Sequence, residues 1–298
     1  MVSGIVGMKK KGEPHMSKPR YAVIGDPISH SLSPVMQNTF FACMDLPGEM
    51  IPIHVKKKEV PAFFSSLEKE GILGFNVTMP HKEAAMLCCD ELDDVARLTR
   101  SVNCVVVSEG RQAKGYNTDA EGLRLAVERE GFSYEGQDIF ILGAGAVTRP
   151  IAYTMAQTAR SITFANRTQP AAEEAAAFLK EHTGCVTFSC GFSAEALSSA
   201  ASESTMLINA TPLGMQGVDA QFEDLSFLDA LTENAPVIDL IYRPARTSFL
   251  AYAEEKNHPV MNGLTMLLMQ GALSFQHFTG VMPDEGALAA AYEVLKNA

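Results

Sequence analysis

Hydrophobic and polar positions along the chain follow two alternating patterns. Short runs rich in β-branched and aromatic residues, such as YAVIG at 21–25, precede longer segments with the spacing of amphipathic helices. The first such segment predicts a helix at 33–45, with Ser33 as its N-cap and Pro34 in its first turn. Alternating strands and helices are typical of βα units that build parallel sheets, so the sequence predicts an α/β protein.

The pattern divides into two units, the first of which extends from Tyr21 to about Asp119. Its further strands are predicted at 49–55, 74–78, 102–107 and 113–116, and its further helices at 58–70, from His81 and around 92–98. The second unit is predicted to be doubly wound, with strands at 137–143, 161–167, 185–189, 205–211 and 236–241 and helices at 119–129, 146–159 and 170–181. Two closing helices, at 263–280 and 285–296, follow a strand at 258–262, and the pattern leaves open which unit they pack against.

The composition and the net charge of the chain limit the kinds of molecule that it is expected to bind. Hydrophobic residues make up 47% of the chain and charged residues 20%, which is typical of a globular protein. The 24 Lys and Arg against 35 Asp and Glu give a formal charge of −11. Such a surface repels phosphate backbones and anionic lipids, so we expect no nucleic-acid partner and no membrane partner.

The chain ends and the cysteines point to a cytoplasmic location. No apolar run approaches the roughly 18 residues that span a bilayer, and the first residues lack the apolar core of a signal peptide. Residues 1–18 are expected to be a flexible tail, of which residues 1–15 are expected to be dispensable, with Met16 as an alternative start. The six cysteines show no C-x-x-C spacing, so we expect free thiols and no metal site.

A glycine pattern in the second unit predicts a dinucleotide site. Gly143 and Gly145 form a G-x-G turn between a predicted strand and a predicted helix, with Thr148 at the third glycine position of the fingerprint. The next strand ends at Asn166-Arg167-Thr168, where an NAD-binding fold usually carries a ribose-binding acid. A guanidinium there can pair with a 2′-phosphate, which favours NADP(H). A solvated arginine at a strand end is the alternative interpretation, and NAD(H) remains possible.

Polar side chains in the first unit follow the predicted strands. Ser31 and Ser33 come after the first strand, Thr78 and Lys82 after the third, and Asp119 begins the helix that follows GYNT. Open α/β sheets bind ligands at the carboxyl ends of their strands, so these side chains are candidates for a substrate site. Taken singly, each has an ordinary structural explanation, with the serines and Asp119 as helix caps and Lys82 as a solvated charge.

Eight segments occur in one order along the chain: GDPISHSLSPVMQN, GFNVTMPHK, GYNTDAEG, GAGAVTRP, NRT, INATPLGM, DLIYRPART and NGLTMLLMQG. With them the chain resembles the shikimate dehydrogenase family from about Tyr21 to Gly280. The resemblance implies an N-terminal αβα substrate domain, residues 19–120 and 255–298, to which the C-terminal helices return. A Rossmann-type NAD(P)-binding domain would occupy residues 121–254.

The resemblance also implies a catalytic pair, Lys82 and Asp119. An ammonium at a ketone oxygen stabilises the charge that hydride addition creates and supplies the proton, while a carboxylate orients it. The substrate contacts implied by the family are Ser31, Ser33, Thr78, Asn103, Asp119, Tyr242 and Gln270. Its implied cofactor contacts are Gly143, Ala144, Gly145, Ala146, Val147, Asn166, Arg167, Thr168, Leu240 and Gly263.

Several positions depart from the family pattern. GAGAV replaces the usual GAGGA, so Ala146 adds a methyl near the pyrophosphate, and the second basic residue often found after NRT is missing. The segment around Asn103 reads RSVNC where the family has G-A-x-N-T. Gln37 stands where many members carry histidine, which resembles the branch that also accepts quinate.

The expected function is NADP-dependent interconversion of 3-dehydroshikimate and shikimate, a step of aromatic amino acid biosynthesis, by a cytoplasmic monomer or homodimer. The near alternative is a quinate/shikimate dehydrogenase that uses NAD(H). A non-catalytic shikimate-binding sensor is a second alternative, which the presence of both Lys82 and Asp119 and the lack of a DNA-binding module disfavour. A folate-linked dehydrogenase fits the Rossmann half but not the serines.

Overall fold

The computed structural model describes residues 18–108, 110 and 112–298 and contains two six-stranded sheets. Residues 1–17 of the predicted tail lie outside the described residues. The strands of the first sheet are β1 (Arg20–Gly25), β2 (Glu49–His54), β3 (Ile72–Val77), β4 (Glu91–Leu92), β5 (Cys104–Val107) and β6 (Ala113–Tyr116). The helices between them are α1 (Ser33–Cys43), α2 (Val60–Glu70), α3 (Lys82–Met86) and α4 (Asp94–Thr99), and a 3₁₀ turn at Lys57–Glu59 precedes α2. The predicted α/β class is confirmed.

The first sheet has the strand order β2-β1-β3-β5-β6-β4. Its first three strands run parallel, as expected, whereas β5 is antiparallel to both β3 and β6. Only residues 108–112 join β5 to β6. A parallel pair needs a crossover of about a dozen residues or more, so this short connection forces a hairpin.

The second sheet is parallel throughout, with the order β12-β11-β10-β7-β8-β9. Its strands are β7 (Asp138–Leu142), β8 (Ser161–Ala165), β9 (Val186–Cys190), β10 (Met206–Asn209), β11 (Val237–Asp239) and β12 (Val260–Met261). The remaining helices are α5 (Asp119–Arg129), α6 (Thr148–Met155), α7 (Gln169–His182), α8 (Ala194–Ser202), α9 (Ser248–Glu255), α10 (Gly263–Thr279) and α11 (Glu285–Asn297). Strands β8 and β9 are therefore added on one side of β7, and β10, β11 and β12 on its other side. This is the doubly wound arrangement of a dinucleotide-binding fold.

Two helices of the second unit, α8 and α9, were not predicted. Helix α8 is composed almost entirely of Ala, Ser and Glu, and only Leu197 and Ala201 are buried. A short helix with so few large apolar residues has little hydrophobic periodicity to detect. A 3₁₀ turn at Ser226–Ala230 was also missed.

The closing helices pack on the first sheet's side of the molecule, which answers the question that the pattern left open. The ring of Phe275 in α10 lies 4.9 Å from that of Phe41 and 5.5 Å from that of Phe40, both in α1. Helix α11 packs against α1, and α5 packs against α10. The core formed by these helices is continuous with residues of both sheets, such as Val23 and Ile141.

The start of α1 differs from its prediction. Ser33 is the first residue of the helix, and the N-cap position falls to Leu32, whose side chain cannot cap. The Ser31 hydroxyl instead accepts a hydrogen bond from the Ser33 amide at 3.3 Å. The prediction that Ser33 is the N-cap is therefore wrong, and the turn is held by Ser31. Across the described ranges, no helix is long and apolar enough to span a bilayer.

Candidate active site

A buried ion pair joins the two sequence candidates for catalysis. The Lys82 Nζ atom lies 2.5 Å from Asp119 Oδ2, and the two side chains are only 15% and 8% exposed. Lys82 opens α3, and the turn before it is anchored by the ring of His81, whose Nε2 lies 2.6 Å from the Val55 carbonyl oxygen. The ammonium is thus directed inward, and the alternative of a solvated surface lysine is wrong.

Asp119 is free to face Lys82 because another residue closes the first turn of α5. The Asn117 Oδ1 atom accepts hydrogen bonds from the amides of Asp119 at 3.1 Å and Ala120 at 3.3 Å. Asp119 is the first residue of the helix, and the N-cap is Thr118. The interpretation of Asp119 as an N-cap is therefore wrong. Its carboxylate is available to bind a ligand or orient a cation.

Asn103 connects this pair to helix α10. Its Nδ2 atom lies 2.9 Å from Asp119 Oδ1 and 3.5 Å from Gln270 Oε1. Each carboxylate oxygen of Asp119 therefore has a partner, Lys82 on one side and Asn103 on the other. The structure brings Lys82, Asn103, Asp119 and Gln270 into one cluster.

Three further residues hold the cluster in place through hydrogen bonds, and none of them is among the substrate contacts that the family implies. Thr118 Oγ1 lies 2.9 Å from Asn103 Nδ2 and 3.2 Å from Ser274 Oγ, and Asn76 Nδ2 donates to Ser274 Oγ at 2.8 Å. All three are buried. The signal in the sequence was a serine four residues after Gln270 in the same predicted helix, which places both on one face.

Ser31, Ser33 and Thr78 lie at the carboxyl ends of β1 and β3. The two loops touch, because the Asp26 amide donates to the Met79 carbonyl at 3.1 Å. A Cβ at Gly25 would lie 2.5 Å from Thr78 Cγ2, so only glycine permits this approach. These three hydroxyls therefore line the same end of the first sheet as Lys82.

Two other residues singled out in the sequence lie elsewhere. Tyr242 follows β11 in the second sheet, is half-buried, and forms no hydrogen bond within the described part of the chain. Burial raises the pKa of its phenol. Gln37 is fully buried between α1 and α10, where its Nε2 donates to the Gly271 carbonyl at 2.8 Å. Its Oε1 has no partner among the described residues.

The glycine turn after β7 has the shape that a pyrophosphate needs. Gly143 has a φ of +105° and lies so close to β10 that a Cβ would be 3.0 Å from the Ala210 carbonyl oxygen. A Cβ at Gly145 would meet no described residue within 4 Å, so the turn is open on this side. Helix α6 begins at Thr148, and the positive end of its dipole lies just beyond the turn.

The other predicted cofactor residues lie along the same edge of the second sheet. The Gly143 amide donates to the Ala165 carbonyl at 2.7 Å, which places the turn beside Asn166-Arg167-Thr168. Arg167 is exposed and has no carboxylate partner in the described part of the chain. A Cβ at Gly263 would lie 2.1 Å from the Leu240 carbonyl oxygen, so these two residues are in contact. The residues present therefore fit a dinucleotide that carries a 2′-phosphate.

A buried carboxylate, Asp239, joins three loops at this edge, and the sequence did not single it out. It accepts hydrogen bonds from Asn209 Nδ2 at 3.0 Å, the Ile241 amide at 3.0 Å and Thr247 Oγ1 at 2.6 Å. Burial raises its pKa to about 6, against the hydrogen bonds that favour the charged form. No cation neutralises it among the described residues. As for metals, residues 18–108, 110 and 112–298 contain no group of three His, Cys, Asp or Glu side chains placed to hold one.

Comparison with known proteins identifies two matching family models. Residues 23–105 match the shikimate dehydrogenase substrate binding domain. Residues 263–291 match the shikimate 5′-dehydrogenase C-terminal domain.

Curated relatives and solved structures agree with these models. A shikimate dehydrogenase (NADP(+)) of Alkaliphilus metalliredigens is 37% identical over 266 residues, which cover 88% of this chain and 92% of the relative. A crystal structure of a shikimate dehydrogenase in complex with NADP+ superimposes with a TM-score of 0.84 at 34% identity, covering 93% of this chain and 95% of the other. The Thermus thermophilus enzyme in complex with NADP(H) and shikimate gives 0.81 at 31% identity, covering 93% and 99% of the two chains.

Proposed function

This chain belongs to the shikimate dehydrogenase family, and we propose that it catalyses the NADP-dependent, reversible reduction of 3-dehydroshikimate to shikimate. It is an oxidoreductase, and its cofactor is NADP(H). The step belongs to aromatic amino acid biosynthesis. The observation that carries the proposal is the buried Lys82–Asp119 ion pair, 2.5 Å long, beside Asn103 and Gln270.

The catalytic roles follow from this geometry. Bound NADP(H) supplies or accepts the hydride. The Lys82 ammonium stabilises the negative charge that develops on the substrate oxygen and donates the proton, and in the reverse direction the neutral Lys82 amine accepts that proton. Asp119 Oδ2 fixes the ammonium through the ion pair, and Asn103 fixes the carboxylate through Oδ1. Both partners are thus oriented before substrate binds, which limits the reorganisation that the reaction requires.

A polyhydroxy acid suits the remaining polar groups. In this proposal Ser31, Ser33, Thr78, Asn103, Asp119, Tyr242 and Gln270 contact the hydroxyls and carboxylate of the substrate. Such a ligand needs several convergent donors and acceptors, and the loops after β1 and β3 supply them beside Lys82. Tyr242 reaches the substrate from the second sheet.

The cofactor is assigned to the edge of the second sheet. Gly143 to Val147 bind the pyrophosphate, Asn166 to Thr168 the adenosine ribose with its 2′-phosphate, and Leu240 and Gly263 the nicotinamide half. The open space at Gly145 and the exposed guanidinium of Arg167, which pairs with no carboxylate among the described residues, support this assignment. Thr148 and Ala146 are exceptions to the usual glycine fingerprint, yet Ala146 points into solvent and leaves the turn open.

We assign the substrate domain to residues 19–120 together with the returning C-terminal helices, and the cofactor domain to the region between them. The strands of the first sheet all fall between Arg20 and Tyr116. Because β12 pairs with β11 in the second sheet, the returning segment begins with α10 rather than at residue 255. A cytoplasmic location, with the protein as a monomer or homodimer, completes the proposal, and its six free thiols suit a reducing compartment.

Initial rates measured with each combination of substrate and cofactor test the proposed function. Shikimate and quinate are each assayed with NADP+ and with NAD+, following the absorbance of the reduced nicotinamide. We expect the highest kcat/KM for shikimate with NADP+. A higher value for quinate with NAD+ would establish the quinate/shikimate alternative. Shikimate binding without turnover by any pair would establish the sensor.

A further inference from the structure

Helices α5 and α10 cross at a glycine. A Cβ placed on Gly122 of α5 would lie 2.6 Å from the Cβ of Gln270 and 2.8 Å from its Cα and backbone nitrogen. Two of these three atoms belong to the backbone of α10, so a rotation of the Gln270 side chain could not relieve the clash. A helix with glycine at an interior position is less stable than the same helix with alanine there by roughly 0.5–1 kcal/mol. The glycine therefore permits a close approach at a cost in helix stability.

A neighbouring side of α10 contacts α1 at the next residue. A Cβ on Gly271 would lie 2.0 Å from Met36 Cε, and Gln37 Nε2 donates to the Gly271 carbonyl at 2.8 Å. Met36 and Gln37 are both fully buried. Helix α10 is thus in close contact with α5 at residue 270 and with α1 at residue 271, and neither contact leaves room for an added methyl group.

The same crossing sets a distance inside the site. Gly122 and Asp119 are three residues apart in α5 and share one face of the helix. Gln270 Oε1 lies 3.5 Å from Asn103 Nδ2, and this amide lies 2.9 Å from Asp119 Oδ1. A shift of α10 away from α5 would therefore move Gln270 away from Asn103 and Asp119 without touching either of them.

We propose that Gly122 is a positioning residue, whose missing side chain sets the separation of the Gln270 amide from the Asp119 carboxylate and thereby the affinity for the polyhydroxy acid. This inference rests on the proposed function, because Gln270 matters to catalysis only if the cluster binds that substrate. Gly263, the residue of α10 assigned to the cofactor, lies seven positions before Gln270, about two helical turns from the crossing. The larger effect is therefore expected on the polyhydroxy acid.

Gly122→Ala tests the proposal against a matched control, Gly286→Ala. Both positions lie in helices and both changes raise helix propensity, but a Cβ on Gly286 meets only Asp284 Oδ1, at 3.3 Å. We expect Gly122→Ala to raise KM for shikimate about tenfold, which corresponds to about 1.4 kcal/mol and so to the loss of one hydrogen bond. KM for NADP+ should stay within about twofold, and Gly286→Ala should leave both constants unchanged.

A second variant keeps the test decisive if Gly122→Ala does not fold. Gly122→Ala combined with Met36→Leu withdraws the Met36 Cε that lies against Gly271 at little cost in core volume, so the double variant should fold and still show the raised KM for shikimate, with Met36→Leu alone as its reference. An unchanged KM for shikimate, or an equal rise in both KM values, would overturn the inference. A wild type that does not turn over shikimate would overturn the proposed function itself, and this inference with it.

Discussion

Lys82 and Asp119 form an ion pair between the first residues of two helices, α3 and α5, that are 37 positions apart in sequence. Exposed ion pairs contribute about 0–1 kcal/mol, but this one is nearly buried, so its two charges have lost most of their hydration. Removing one partner would leave the other charge uncompensated. A variant of either residue is therefore expected to change both catalysis and the free energy of unfolding, and kinetics and melting curves measure the two effects separately.

Lys82→Ala should lower kcat by about 10²–10⁴-fold, because it removes the group that protonates the substrate oxygen. The dissociation constant for shikimate should change much less, since other polar groups hold the substrate. Steady-state kinetics and equilibrium binding together measure the two effects. Lys114→Ala is the control, because Lys114 is exposed and pairs with Glu91 at 3.5 Å on the surface. A Lys82→Ala enzyme that retains more than about half of the wild-type kcat contradicts the assignment.

Asp119→Asn should lower kcat and raise KM for shikimate, because the amide keeps the size of the carboxylate but loses the charge that orients Lys82. The matched control is Asp284→Asn at the N-cap of α11, where the side chain accepts a hydrogen bond from the Ala287 amide at 2.8 Å. Asn caps a helix nearly as well as Asp, so the control should keep its activity and its melting temperature. Equal behaviour of the two variants would show that Asp119 has only a structural role.

Arg167→Ala should reduce the preference for NADP(H) over NAD(H). One charge-assisted contact to the 2′-phosphate contributes about 1.5–3 kcal/mol, which corresponds to roughly ten- to a hundredfold in kcat/KM. The loss should fall on NADP(H) alone, because only NADP(H) carries the phosphate. Lys180→Ala, at an exposed cation in the last turn of α7, is the control for net charge. Equal losses with both cofactors, or a wild type that prefers NAD(H), would exclude Arg167 as the phosphate contact.

Asp239→Asn should change how stability depends on pH. Burial raises the pKa of Asp239 to about 6, from 3.8. The native state therefore holds a proton that the unfolded state releases between these values, and the free energy of unfolding falls as pH rises through that window, by up to about 3 kcal/mol. The amide does not titrate. Thermal melts from pH 4 to pH 7 should show the melting temperature of the variant rising relative to wild type, and a difference that does not vary with pH contradicts the expectation.

Part of the candidate site could be predicted from the local pattern, because the ends of strands can be recognised in a sequence. Lys82 and Thr78 were placed at one edge of a sheet on this ground, and the motif order added Asn103, Asp119 and Gln270. The roles of Asn117 and Ser274 escaped, since each depends on which side chain reaches a particular amide or hydroxyl. Helix α10 is apolar on nearly every face, so its periodicity does not indicate its neighbours. The contact between Phe275 and Phe41 became visible only in three dimensions.

That contact fixes the order in which the chain can fold as it leaves the ribosome. Phe275 follows Phe41 by 234 residues, which at about 5–20 residues per second is on the order of 10–50 s of synthesis. During that interval the aromatic face of α1 lacks the cover that α10 provides, although Tyr21 can already stack on Phe41, and every strand of the second sheet is synthesised before α10. The cofactor half can thus complete its fold on the nascent chain first, and the half that is translated first is finished last. A chaperone that binds exposed aromatic residues on nascent chains would find its target in residues 36–41. A stop codon before α10 would release a chain in which α10 never covers that face.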